Sequence, residues 1–153
     1  MKRIERSVAV PLVFLGALVV AACDGRSPGE PEADAVQAAV PGDWWEGTTA
    51  DGTWAVRWRP LVAPIPTLDP FAVEVQVLGP DGEPVSDGLD VMVDASMPHH
   101  GHGMNVVPRV TATDDGWIAE GMLLHMPGRW EFVVDVEQGH GMERAQWTLT
   151  LDD

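Results

Sequence analysis

Apolar and polar residues alternate with a period of two along most of the chain beyond residue 53. In an extended strand, successive side chains point to opposite faces, so this alternation indicates β-strands with one buried face. The pattern is clearest in Phe71–Leu78, where every second residue from position 71 is Phe or Val. Seven segments share the pattern: 54–59, 71–78, 89–96, 109–113, 117–124, 130–137 and 144–151.

Turn sequences separate these segments, and no helical period is present. Gly79-Pro80-Asp81-Gly82, Asp114-Asp115-Gly116 and Gly139-His140-Gly141 are typical of turns. Short strands with one apolar face predict an all-β fold, an immunoglobulin-like antiparallel β-sandwich of about seven strands. A small barrel is the alternative. The predicted domain covers residues 53–153, an ordinary size for one domain.

The beginning of the chain has the layout of a secretory signal peptide. Lys2, Arg3 and Arg6 precede an uncharged run of 15 residues, 8–22. A membrane-spanning helix needs roughly 20 apolar residues, so the run is short for a single-pass anchor, which is the alternative.

The segment Val20-Ala21-Ala22-Cys23 resembles the lipobox of bacterial lipoprotein precursors. The resemblance implies cleavage after residue 22 and attachment of acyl chains such as palmitate to Cys23. Several chains anchor stably, since each buried methylene contributes about 0.8 kcal/mol. We therefore predict a signal peptide over 1–22, a lipidated Cys23 and an extracytoplasmic location on the periplasmic side, with inner and outer membrane both left open.

A linker is predicted between the anchor and the domain. Residues 24–41 are rich in Gly, Pro, Ala, Glu and Asp. This segment is expected to be a flexible tether, and about twenty residues of it would reach on the order of 25 Å from the membrane. The lipidated Cys23 and the flexible acidic linker together are predicted over 23–52. Trp44 and Trp45 depart from this composition, and we expect them to pack against one end of the domain or to touch the bilayer interface.

Charge argues against nucleic-acid binding. The full chain has nine Lys and Arg against 24 Asp and Glu. Removing residues 1–22 takes away three basic residues and one acidic residue, which leaves six against 23 and a formal charge of −17. Such a chain is repelled by phosphate backbones.

Cysteine chemistry is also excluded from the mature domain, because Cys23 is the only cysteine and lipid would occupy its sulfur. A disulfide, a thiolate nucleophile and a blue-copper thiolate are therefore not available. We recognise no HExxH motif, nucleophile elbow or paired-carboxylate site, and do not expect an enzyme. An open zinc site formed by His100, His102 and His125 is the one catalytic alternative.

Histidine and methionine are concentrated in one part of the chain. All five histidines and six of the seven methionines lie between Met92 and Met142, most densely in 97–104, which reads Met-Pro-His-His-Gly-His-Gly-Met. Imidazole and thioether are the ligands that suit copper, especially Cu(I), when cysteine is unavailable. Ca²⁺ would require carboxylates, which this run lacks.

Strand direction predicts which residues can form one site. His100, His102 and Met104 are spaced by two, so an extended segment would turn all three to one side. In an up-and-down succession of seven strands, the loops after the third and the fifth strand lie at the same end. The pair His125 and Met126, in the second of these loops, is therefore expected to meet them.

The predicted metal ligands are Met97, His100, His102, Met104, His125 and Met126. For each methionine, a role as core filler is the alternative. His140 and Met142 follow the sixth strand and are predicted at the opposite end, where they would hold at most a weak second ion.

The segment 97–104, followed by Met126-x-Gly128-x-Trp130, resembles the YtkA-like domain, which is in turn similar to FixH-like proteins associated with cytochrome oxidase biogenesis and copper handling. The resemblance spans roughly residues 54–151. It implies an immunoglobulin-like sandwich and a role near envelope copper, with His100 and His102 at the positions of the family's pattern and His99 as the variable one. FixH-like proteins carry a membrane helix where this chain has a predicted lipid anchor.

We therefore expect a lipid-anchored envelope protein that binds copper, as Cu(I) in preference to Cu(II), and buffers it or delivers it to a cuproprotein or oxidase-assembly partner. The alternative is a structural or interaction module without metal, whose loop presents a rigid cap to a membrane-complex partner.

Overall fold

The computed structural model describes residues 41–152. This part of the chain contains nine β-strands and no helix, which confirms the predicted all-β class. The strands are β1 (Trp45–Thr48), β2 (Ala55–Pro60), β3 (Phe71–Leu78), β4 (Asp90–Met97), β5 (His102–Gly103), β6 (Arg109–Thr113), β7 (Gly116–Met122), β8 (Gly128–Gln138) and β9 (Gly141–Leu151). The predicted signal peptide, Cys23 and the tether up to residue 40 lie outside the described residues.

The strands form two antiparallel sheets. One has five strands in the order β1-β2-β3-β7-β6, and the other has four in the order β5-β4-β8-β9. The alternating apolar positions of both sheets are buried in one core, so the molecule is a β-sandwich, as predicted. The chain crosses between the sheets after β3, β5 and β7, so successive strands are not all neighbours in one sheet.

Two of the strands were not predicted. β1 pairs with β2 over its whole length, so the sheet begins at Trp45 and not at residue 53. β5 has only two residues, and it pairs with Ser96 and Met97 at the end of β4. The rest of that edge of β4, from Asp90 to Asp94, has no strand neighbour among the nine strands.

Large side chains from the two sheets meet in the middle of the sandwich. The rings of Trp58 on β2 and Phe132 on β8 stack with centroids 3.9 Å apart. Trp130, Val134 and Val136 are buried on the same face of β8, as the alternation predicted. Burial of a side chain of this size contributes about 1.5–3 kcal/mol to the free energy of folding, so the central rings dominate the core.

The two tryptophans at the start of the described chain both pack on the domain. Trp45 stacks against Trp58, with ring centroids 5.6 Å apart. Trp44 lies on the outer face of the five-stranded sheet, where its ring covers the guanidinium groups of Arg59 and Arg57 at 4.4 and 4.7 Å from the ring centroid. Both tryptophans therefore pack on the folded domain, one on the outer face of a sheet and one in its edge strand.

The two ends of the sandwich have different loops. The loops 61–70, 98–101 and 123–127 lie at one end, because β4 and β7 end there and β8 begins there. We call it the histidine end after the histidines in these loops. The opposite end, formed by the turns at 49–54, 79–89, 114–115 and 139–140, is called the hairpin end.

Candidate metal site

A tight turn at the end of β4 reverses the chain, so that His102 lies alongside that strand. The carbonyl of Met97 accepts hydrogen bonds from the N–H groups of His100 and Gly101, at 2.9 and 3.0 Å. Gly101 has a φ of 70°, a conformation that side chains with a Cβ rarely adopt. The chain then reverses into β5, where His102 lies directly opposite Met97. Residues directly opposite each other in an antiparallel ladder share a face, so His102 lies on the core-facing side of the sheet.

Three imidazole rings meet at the histidine end. The ring centroids of His100 and His102 are 5.7 Å apart, and those of His102 and His125 are 5.2 Å apart. His102 and His125 are half-buried, whereas His100 is exposed. The loops after β4 and β7 thus come together at the end where strand direction placed them.

His125 carries a buried nitrogen without a partner. Its Nδ1 atom is inaccessible to solvent and has no hydrogen bond within the described part of the chain. A buried polar atom left unpaired costs about 1–3 kcal/mol, and the indole Nε1 of the core residue Trp58 is the other such atom in the described part of the chain. His102 is only weakly held, since its Nδ1 atom is 3.4 Å from the Gly103 carbonyl oxygen. The Nδ1 atoms of both rings therefore lack a firm hydrogen bond within the described part of the chain.

The ring of Trp130 packs against the histidine rings from the core side. Its ring is fully buried and meets the rings of His125 and His102 edge-on, with centroids at 5.4 and 6.3 Å. Its Nε1–H donates to the Met126 carbonyl at 2.9 Å, which fixes the indole against the 123–127 loop. The sequence predicted Trp130 only as a core residue. Its place in the motif with Met126 was the signal that connected it to the site.

The three candidate methionines occupy different positions. The sulfur of Met104 is half-buried and accepts a hydrogen bond from the Leu123 N–H at 3.4 Å, two residues before His125. Met97 is only 1% exposed and belongs to the core, where its methyl group packs on Gly128. Met126 is partly buried against the same core. Met104 is also partly buried against that core, and its sulfur is the one that bonds within two residues of a candidate histidine. Met97 has the role of core filler that was its alternative.

His99 turns away from the other histidines. Its Nε2 atom contacts the guanidinium Nη2 of Arg129, an exposed residue of β8. This contact places His99 outside the group formed by His100 and His102. The sequence pattern agrees, because His100, His102 and Met104 are spaced by two and His99 is not in that series.

His140 and Met142 lie at the hairpin end. Along the β4–β8 ladder, Ser96 pairs with Glu131 near the histidines, and Asp90 pairs with Glu137 near the turn that carries His140. Six residues of strand separate these two pairs, which is about 20 Å. This distance agrees with the prediction that His140 and Met142 do not belong to the candidate site.

Within residues 41–152, no three His, Cys, Asp or Glu side chains are grouped in an arrangement that could hold a metal ion. The three imidazoles are thus neighbours without forming a closed three-histidine site. A metal ion here would need the thioether of Met104, or a rotation of the exposed His100 toward the other two rings.

Comparison with protein-family models, with curated proteins and with solved structures gave no match to this chain. In the described range there is no helix with the length and apolar character needed to span a membrane.

Proposed function

We propose that this chain is a lipid-anchored envelope protein that binds one copper ion, as Cu(I), at the histidine end and buffers or delivers it. The observation that carries the proposal is the unpaired, buried Nδ1 of His125 beside His102. An imidazole nitrogen that is buried without a hydrogen bond destabilises the folded protein, and a metal ion bound to that nitrogen would remove this free-energy cost.

The surrounding residues give each ligand a distinct role. His102 and His125 are the inner ligands, because both are half-buried over Trp130. Met104 supplies the soft thioether that favours Cu(I) over harder divalent ions. His100 is the outer ligand, since its side chain is exposed at the tight turn that contains Gly101.

The resemblance to the YtkA-like domain supports the same function. In that case the partner that receives copper would be a cuproprotein or an oxidase-assembly protein of the cell envelope. The lipobox-like segment ending at Cys23 would keep the domain at the membrane where such partners lie.

A second function has one observation in its favour. A groove of about 490 Å³ runs along the outer side of β4, next to the candidate site, and its walls include Met92, Met104, Val107 and Arg144. Val107 is 95% exposed there. Under this alternative the chain is a non-metal interaction module, and the His/Met loop is a cap that shapes the groove.

Competition with a chromogenic Cu(I) chelator tests the copper proposal. The wild type is expected to hold about one Cu(I) tightly, and the double variant His100→Ala/His102→Ala is expected to lose that binding without unfolding. His99→Ala is the matched control, because His99 is adjacent in sequence but contacts Arg129.

A control at a distance is the double variant His140→Ala/Met142→Ala, which is expected to keep the wild-type affinity because it changes the hairpin end. If the His100/His102 double variant holds Cu(I) as tightly as the wild type, copper binding at this site is wrong and the interaction module is the better function.

A further inference from the structure

The chain enters the described domain at the histidine end. The N–H of Gly42 donates to the Pro60 carbonyl at 2.8 Å, at the end of β2. Two residues before Pro60, Trp58 stacks on Phe132 across the sandwich. Two residues before Phe132 on the opposite strand is Trp130, which supports the histidines. Gly42 is therefore at the same level of the sandwich as the candidate site.

Negative charge is concentrated at the other end. Eight exposed carboxylates lie in or beside the turns of the hairpin end: Asp51, Asp81, Glu83, Asp87, Asp90, Asp114, Asp115 and Glu137. By the same criterion, the histidine end has four exposed carboxylates, Asp43, Asp69, Glu120 and Asp152. Two exposed arginines, Arg109 and Arg129, begin the strands that start at this end.

An apolar side chain projects from the histidine end. Leu68 is 68% exposed and has a φ of 74°, in the left-handed region that residues other than glycine rarely adopt. Its N–H donates to the Leu124 carbonyl at 3.1 Å, which ties the exposed loop to the segment before His125. A strained backbone that holds a leucine in solvent is a feature that contact with an apolar surface would explain.

We propose that the domain sits with its histidine end against the lipid surface and with the Leu68 loop in contact with the lipid headgroups. This inference rests on the lipid anchor of the proposed function. An anionic bilayer repels the carboxylates of the hairpin end within a Debye length of about 10 Å. Only the 17 residues 24–40 separate the predicted anchor at Cys23 from the described domain, so the end near Gly42 is the end that the anchor would tie to the membrane.

The orientation can be measured on the full-length acylated protein in vesicles of phosphatidylcholine and phosphatidylglycerol. Because lipid occupies the only native cysteine, a single introduced cysteine is the unique site for a thiol-reactive fluorophore. Pro127→Cys and Gln138→Cys form a matched pair, since both residues are exposed, Pro127 directly precedes β8 and Gln138 is its last residue. Quenching by lipids with a spin-labelled headgroup is expected to be several-fold stronger at Pro127 than at Gln138.

Equal quenching at the two positions, or stronger quenching at Gln138, would overturn the orientation. Palmitate labelling of the same samples separates this result from failure of the anchor. Protein that carries no label and does not sediment with vesicles would refute the anchor, and the orientation with it, whereas labelled protein with inverted quenching would refute the orientation alone.

The Leu68 contact has its own pair of variants. Leu68→Asn keeps a residue that tolerates positive φ but removes the apolar side chain, and it is expected to lower the quenching at Pro127 markedly. Met142→Asn removes an exposed apolar side chain at the hairpin end, and it is expected to leave the quenching at Pro127 unchanged. Unchanged quenching in Leu68→Asn would show that this loop does not touch the lipid.

Discussion

The indole ring of Trp130 lies edge-on to the imidazole of His125, with ring centroids 5.4 Å apart and ring planes at 82°. The same indole is fully buried in the core of the sandwich. One side chain therefore links the packing of the domain to the position of a candidate ligand, and changes to it affect both.

Replacing Trp130 by Ala is expected to cost about 3–5 kcal/mol of stability, because the cavity it leaves lies among buried side chains. The melting temperature should fall by about 12 °C or more for a domain of this size. Glu131→Ala, on the opposite face of β8, is the control and should cost far less. Similar melting temperatures for the two variants would show that the strand register is wrong.

Replacing Cys23 by Ser is expected to prevent acylation, because serine offers no sulfur for the lipid. The variant should remain unprocessed or become soluble. Metabolic labelling with a palmitate analogue measures this directly, and equal labelling of Cys23→Ser and wild type would refute the lipoprotein prediction.

The affinity for Cu(I) is expected to fall as the pH is lowered from 7 to 5. Protons compete with a metal ion for imidazole nitrogen but not for thioether sulfur. The loss should therefore be smaller than for a site of the same size made of histidines alone, and the variant Met104→Leu should bind Cu(I) more weakly by a similar factor at every pH, because a thioether releases no proton on binding. Chelator competition at a series of pH values measures both effects, and an unchanged affinity in Met104→Leu would remove Met104 from the ligand set.

Glu143 is expected to make the stability depend on pH. Its carboxylate accepts a hydrogen bond from the Thr49 hydroxyl at 2.6 Å, and this bond, followed by one from Thr53, holds the pKa of Glu143 below its usual value near 4.5. A lowered pKa in the folded state stabilises the fold above the unfolded-state pKa, and this contribution is lost as the pH falls through the folded-state value.

The variant Glu143→Gln should therefore differ from the wild type in stability at pH 7 and approach it as the pH falls below about 4.5. Chemical denaturation at a series of pH values provides the comparison, with Glu137→Gln on the neighbouring strand as control. A difference between Glu143→Gln and wild type that does not change with pH would contradict the role of the Thr49 hydrogen bond.

The regular part of the fold was predictable because period-two alternation is a local signal. β3 and β6 have the predicted bounds, and the buried faces of β4 and β8 are those that the alternation indicated. β1 and β5 are too short to show a period. β5 exists only because the turn at Gly101 places His102 opposite Met97, which is a tertiary relationship.

The candidate site was partly predictable for a different reason. The direction of successive strands was sufficient to place His125 near His100 and His102. The alternation did not decide between a core role and a ligand role for Met97 and Met104, because a flexible apolar thioether suits both. The unpaired Nδ1 of His125 depends on how the loops pack and has no sequence signal.

The edge of β4 that has no strand neighbour has a consequence for neighbouring copies of this chain. Strand edges with free N–H and C=O groups tend to pair with the same edge of another copy, which leads to aggregation. Asp90 and Asp94 are exposed along this edge, at either end of the unpaired stretch. Pairing of two such edges would bring carboxylates of the same sign together, so their repulsion protects neighbouring copies from joining their sheets.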